Sequence, residues 1–188
     1  MSATTIAILA ASIMTLAAPA TDAAECLVSL VSLDAIHAAP RFSDYPARPE
    51  PPRRPARVVI ASKDAREFRT QLRQGAAAGP NFAGHFTVAA WGCGASCTDW
   101  VIVDARSGQV TFPPHLRDLS TDGVGPERAE PQPPITGLRF RRDSRLIAVL
   151  GAPEEDEACE GVGFYVWDGR RLNPVAFFAR QKSCSPAR

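Results

Sequence analysis

The residue types able to do chemistry crowd into residues 80–100 of this 188-residue chain, which read PNFAGHFTVAAWGCGASCTDW. Cys93 and Cys97 are spaced C-x3-C around Gly94. Two thiols at that spacing can close a disulfide, cycle as a redox dithiol, or ligate a soft metal such as copper. The spacing is not the C-x2-C of zinc knuckles or thioredoxin-like dithiols. At a hairpin tip, facing residues in a non-hydrogen-bonded pair stand about 4.5–5.5 Å apart at Cα, inside the span of a disulfide. A structural bridge is therefore expected, with a periplasmic copper-binding or thiol-redox role for Cys93 and Cys97 as the alternative. His85 lies eight residues before Cys93. Along a regular strand that puts it roughly 20 Å from the thiols, so no metal site is assigned.

His85 could act as a general acid or base with Asp99 or Asp104 from the neighbouring strand, which would make an enzyme. A cysteine nucleophile is disfavoured, because His115 is the only histidine downstream of the pair. No nucleophile, base and orienting group stand at usable spacing, so no catalytic residue and no cofactor are assigned. Asn81, His85, Trp91 and Trp100 are instead the candidate ligand contacts beside a clamped hairpin tip. Each also has a plainer role: Asn81 in a turn, His85 as a satisfied residue at a strand start, the tryptophans as core.

The elements that must position these groups follow from periodicity. Ser62 is a plausible N-cap, and Ala65, Phe68 and Leu72 recur at helical spacing over residues 63–77 until Gly79-Pro80 stops the pattern. Arg66, Arg69 and Arg73 fall on the other side, as a solvated face. After Pro80 the period becomes two, and strands are expected at residues 85–91, 100–105, 109–112, 138–141, 145–150, 163–167 and 172–178. Gly94-Ala95-Ser96, Arg106-Ser107-Gly108, Asp143-Ser144 and Asp168-Gly169 supply turns. The expected fold is mainly β (α+β): a single antiparallel sheet of about seven strands, curled or sandwich-like, with one packed helix. Residues 113–134 are polar and proline-rich, and are expected as a surface excursion. So few strands exclude a self-contained propeller.

Residues 6–18 form an uncharged apolar run followed by small residues, the pattern of an export signal and too short for a membrane span. The expected organisation is a signal peptide over residues 1–24, a Pro/Arg-rich arm over 25–57 and one globular domain over 58–188. Periplasmic or secreted location follows, with no transmembrane anchor after processing. The arm reads as an extended, solvated linker, and its cluster Arg53, Arg54 and Arg57 as the weaker possibility of a docking patch for anionic lipid or glycan. A formal net charge of +1 argues against nucleic acid. The five cysteines divide into Cys93 with Cys97, Cys159 with Cys184, and Cys26 beside the export segment; a bridge from Cys26 to Cys184 stays open. A monomer that binds a protein or envelope glycan is expected.

Phe42-Ser43-Asp44-Tyr45-Pro46, Asn81-Phe82-Ala83-Gly84-His85-Phe86, Trp91-Gly92-Cys93-Gly94 closing at Cys97, the Val103 to Gly108 turn and Tyr165-Val166-Trp167-Asp168-Gly169 together carry a likeness. Over roughly residues 42–178 the chain resembles a family of uncharacterised exported bacterial proteins with an N-F-A-G-H-[FY] … W-G-C-G-x-x-C motif. The resemblance implies export and shared architecture, and no activity.

Overall fold

The structure, a computed structural model, describes residues 38–51, 54–122, 124 and 137–180. The export segment 1–24, Cys26, Arg53, Cys184 and half of the 113–134 excursion, residues 123 and 125–134, lie outside the described residues.

Period-two alternation folds as expected into antiparallel strands. β1 (Phe86–Gly94) and β2 (Cys97–Asp104) form a hairpin, with Phe86 opposite Asp104 and Trp91 opposite Asp99. The other edge of β2 takes two short strands, β3 (Val110–Thr111) against Ile102 and Val103 and β4 (Leu119–Ser120) against Cys97 and Thr98. A second antiparallel sheet runs in the order β5 (Leu138–Phe140), β6 (Leu146–Gly151), β7 (Gly161–Trp167), β8 (Leu172–Ala179).

The chain is thus β-rich, and the expectation of one seven-stranded sheet is corrected to two sheets of four. The extra strand, β4, sits inside the stretch that reads as a surface excursion. Its Leu119 is fully buried and Leu116 is buried beside it in the same core, so the segment is anchored by apolar side chains despite its polar surroundings. Ser120 and Ala152 exchange backbone bonds of 2.9 Å in both directions and tie β4 to the end of β6.

The layers follow from which face each apolar residue takes. Val88, Trp100 and Ile102 on one face of the first sheet pack with Leu138, Ile147, Val149 and Trp167 of the second. On the opposite face, Ala89, Val101 and Val103 receive Ala65, Leu72 and Ala76 of the helices. Burial on both faces explains why β2 is apolar almost throughout. A Cβ on Gly75 would stand 2.4 Å from the Ala89 Cβ, so glycine is required where helix and strand touch. The single expected helix is two: α1 (Lys63–Glu67), capped by Ser62 Oγ accepting from Ala65 N at 3.0 Å, and α2 (Arg69–Ala77). The break is at Phe68, which leaves helical geometry and lays its ring 5.1 Å from that of Trp91.

The described part of the Pro/Arg-rich arm is extended after a 3-10 turn at Phe42–Asp44, as its prolines require, but it is not a solvated linker. Ala47 N donates to Asp143 O at 2.7 Å and Arg145 N to Tyr45 O at 2.8 Å, while Ser144 Oγ reaches the carbonyls of Phe42 and Tyr45. Further on, Ala56 N bonds Ala105 O and Val59 N bonds Gly108 O, both at 2.8 Å. The arm therefore crosses both sheets and belongs to the fold.

Candidate binding site

Cys93 and Cys97 are joined by a disulfide, with Cα atoms 5.1 Å apart. The register explains how. Gly92 faces Thr98 and Gly94 faces Cys97, so Cys93 is the extra residue of a bulge, bent toward its partner. A loop this short constrains the unfolded chain by only about 2 kcal/mol. Asp118, which the sequence did not mark, brings a carboxylate oxygen within 4.8 Å of both sulfurs.

The N-F-A-G-H motif is a knot that fastens sheet, turn and arm. The Asn81 carboxamide imitates a strand: Oδ1 accepts from Val88 N at 2.7 Å and Nδ2 donates to Val88 O at 3.0 Å, closing the outer edge of β1. Phe82 is fully buried. Gly84 has φ +87°, and a Cβ there would stand 2.6 Å from Arg48 O. Its N–H donates to Arg142 O at 2.7 Å. His85 lies between two carboxylates, Nδ1 at 3.2 Å from Glu50 of the arm and Nε2 at 3.6 Å from Asp104. Arg106 forks onto the same Glu50 carboxylate, and Arg142 donates to the Glu50 carbonyl. The pairing of His85 with Asp104 was legible in the sequence; Glu50 was not. Ser107 Oγ donates to Asp104 Oδ2 at 2.8 Å, so this hydroxyl is held by the carboxylate.

The four expected ligand contacts do not share a surface. Trp100 is fully buried between the sheets, with Nε1 donating to Leu116 O at 2.6 Å. Trp91 points to the other face, under Phe68, and its buried Nε1 has no acceptor. Asn81 and His85 are held as described above.

Cys159 is an exposed free thiol; its expected partner Cys184 lies outside the described residues. The Cys159 Sγ lies 3.5 Å from Asp156 Oδ2, and that hydrogen bond, with the charge of Asp156, pushes the thiol above its ordinary pKa. The turn that carries Cys159 is organised by Asp156, whose side chain also accepts from Ala158 N at 3.0 Å.

Two arrangements escaped sequence reasoning. The first is a buried ion pair. Arg117 donates to Asp99 through Nε at 3.0 Å and Nη2 at 2.6 Å, and to Asp64 through Nη1 at 3.1 Å. Its guanidinium also lies over the rings of Phe68 and Phe112. Hydrogen bonding to Asp99 raises its pKa above the ordinary arginine value. The pair locks the loop after β3 to β2 and α1, which is a structural duty.

The second is a groove of about 540 Å³ between arm and helix. Arg54 and Arg57 from the arm and Arg73 from α2 line it, over a floor that includes Val58, Ala76 and Ala77. All three arginines are exposed, and among the described residues no carboxylate pairs with them. The chain matches no known protein family, curated protein or solved structure. The groove has the size of small-molecule sites in general. Two arginine clusters that read separately as linker and helix face thus converge, because the arm docks alongside α2. A second groove, of about 470 Å³ beside the hairpin tip, is acidic, with Asp122, Glu155, Glu157 and Glu160 in its lining and Arg180 paired to Glu160.

Proposed function

We propose that the protein acts by binding, as an exported, disulfide-stabilised module of the bacterial envelope whose partner occupies the groove between arm and α2. The observation that carries this reading is the convergence of Arg54, Arg57 and Arg73 on one concavity with no carboxylate paired to them among the described residues. Unpaired guanidiniums around a concave, partly apolar surface favour an anionic partner, because their planar forks match carboxylate and phosphate oxygens. The docked arm, bonded to the turn after β2 through Ala56 and Val59, holds one wall of this surface in shape, which lowers the entropic cost of binding.

The test is capture from solubilised envelope extract by the immobilised protein and by an Arg57→Gln/Arg73→Gln variant. A species held by the wild type at low salt, released at about 0.5 M salt and not held by the variant supports the reading. Equal capture by both proteins overturns it.

A copper-binding or thiol-redox function is the second reading, favoured by Asp118 standing beside both sulfurs. In the dithiol state Cys93, Cys97 and Asp118 would offer three ligands. Peptide mass spectrometry without reductant discriminates: free thiols with a stoichiometric metal in protein taken from the periplasm support it, and a fully bridged Cys93–Cys97 peptide counts against it.

A further inference from the structure

Resting on the binding reading, we infer that the arginine groove takes a phosphorylated saccharide carrying two phosphate groups. Three features of the groove select this chemistry.

The first is charge. Arg54, Arg57 and Arg73 present three positive charges. One phosphomonoester carries about −1.5 to −2 at neutral pH, so two of them carry about −3 to −4. Two phosphates neutralise the three guanidiniums; one leaves positive charge uncompensated.

The second is placement. The arginines come from both walls, Arg54 and Arg57 from the arm and Arg73 from α2, so the phosphates must be separated by a body that spans the groove. A volume of about 540 Å³ holds one or two sugar rings and far exceeds a single phosphate.

The third is the chemistry of the floor. Val58, Ala76 and Ala77 offer apolar area for the C–H face of a sugar ring. Ala76 and Ala77 also form the C-terminal turn of α2, where backbone carbonyls run out of intrahelical donors. Ala78 N and Gly79 N return to the carbonyls of Gly75 and Ala76, while the helix stops at Ala77. Those two carbonyls are thereby occupied, and the negative end of the helix disfavours an anion beside it. A ligand with its phosphates toward the arginines and its uncharged body toward the helix end avoids that repulsion. Inorganic phosphate has no hydroxyl-bearing body to fill the groove.

Calorimetric titration of the purified full chain tests this with four probes: glucose 1,6-bisphosphate, glucose, inorganic phosphate, and vesicles of phosphatidylglycerol in phosphatidylcholine. The variants are Arg54→Gln and Arg73→Gln, exposed positions at which the fold is retained. Glucose 1,6-bisphosphate is expected to bind at least tenfold more tightly than phosphate or glucose, and each variant is expected to weaken it about tenfold, the effect of losing one charge-assisted contact. Phosphate binding as tightly as the bisphosphate overturns the saccharide assignment. Vesicle binding without bisphosphate binding overturns it in favour of a membrane surface. Bisphosphate binding unchanged in both variants places the ligand elsewhere and overturns the site. If no phosphate probe binds while envelope capture still depends on Arg57 and Arg73, the ligand class is wrong and the binding reading stands; if capture is also lost as a distinction, both fall.

Discussion

Arg117→Ala offers the sharpest test of how the loop after β3 is held. Asp99 is 1% exposed and Arg117 is 22% exposed at the side chain. Removing the guanidinium leaves Asp99 Oδ1 with the Trp100 N–H at 2.8 Å and takes away the donor on Oδ2. A carboxylate stranded in that position costs about 3–5 kcal/mol. The partial opening of the Arg117 side to solvent places the expected loss near the lower end, about 3 kcal/mol, or a fall in Tm of about 6–12 °C. Asp99→Ala is expected to cost less, about 1–2 kcal/mol, because Arg117 keeps Asp64 and its place over two phenyl rings. The double variant should then be less damaged than the sum of the two, since the stranded charge is gone. Urea unfolding followed by tryptophan fluorescence measures all three, with an unchanged slope showing that stability alone has moved. Arg117→Ala costing under about 1 kcal/mol, or strict additivity in the double variant, would refute the reasoning.

Three further outcomes are expected. Asn81→Asp keeps the acceptor for Val88 N but removes the donor to Val88 O, so it should cost about 1–3 kcal/mol and speed hydrogen exchange at the Val88 amide; unchanged exchange would show that the carboxamide does not close the strand edge. Gly84→Ala drives a methyl against Arg48 O and should expose the arm to trypsin, whereas Gly169→Ala, at φ +99° with nothing within 4 Å, should leave the arm protected; equal cleavage of both variants would contradict the proposed contact. Asp168 accepts from Asn173, Arg171 and Arg170, bonds that hold its carboxyl well below the ordinary range. Its folded pKa is depressed, so its support of the β7–β8 turn is complete above the ordinary carboxylate value and lost as pH falls through the folded one. The amide resonances of Arg170 and Arg171 should therefore titrate with a midpoint below about 3.9, and a midpoint at or above it would count against the turn bonds.

What the sequence disclosed depended on the range of the interaction. The β1–β2 hairpin, the Cys93–Cys97 bridge and the Ser62 cap are decided by residues within a few positions of one another, and each was legible. The division into two sheets was not, because it turns on β5 pairing with β6 and not with the first sheet; nor was β4, since a two-residue strand has no period to read. The arm was legible as extended and misread as solvated. Prolines fix its shape, but its partners are remote turns that give no local signal. At the candidate site the same reasoning applies to Glu50 on His85, Asp118 beside the disulfide, and Arg73 opposite Arg54 and Arg57. Each is a meeting of segments whose separate readings, as linker, loop or helix face, were unremarkable. The setting of Cys159 beside Asp156 was likewise beyond a count of cysteines.

The docked arm also sets an order of events. Ser144 Oγ reaches the Phe42 carbonyl across 102 residues of sequence, and Arg142 reaches Glu50 across 92. Contacts of such separation form late, after the loop-closure entropy has been met by other pairings. The part of the arm through Glu50 waits for the turn between β5 and β6, whereas residues 56–59 dock on the turn after β2, so the arm is fastened in two stages. One wall of the arginine groove is that arm. On the binding reading proposed above, the site is complete only once the arm is fastened, and a chain whose arm is undocked carries all three arginines without presenting the groove.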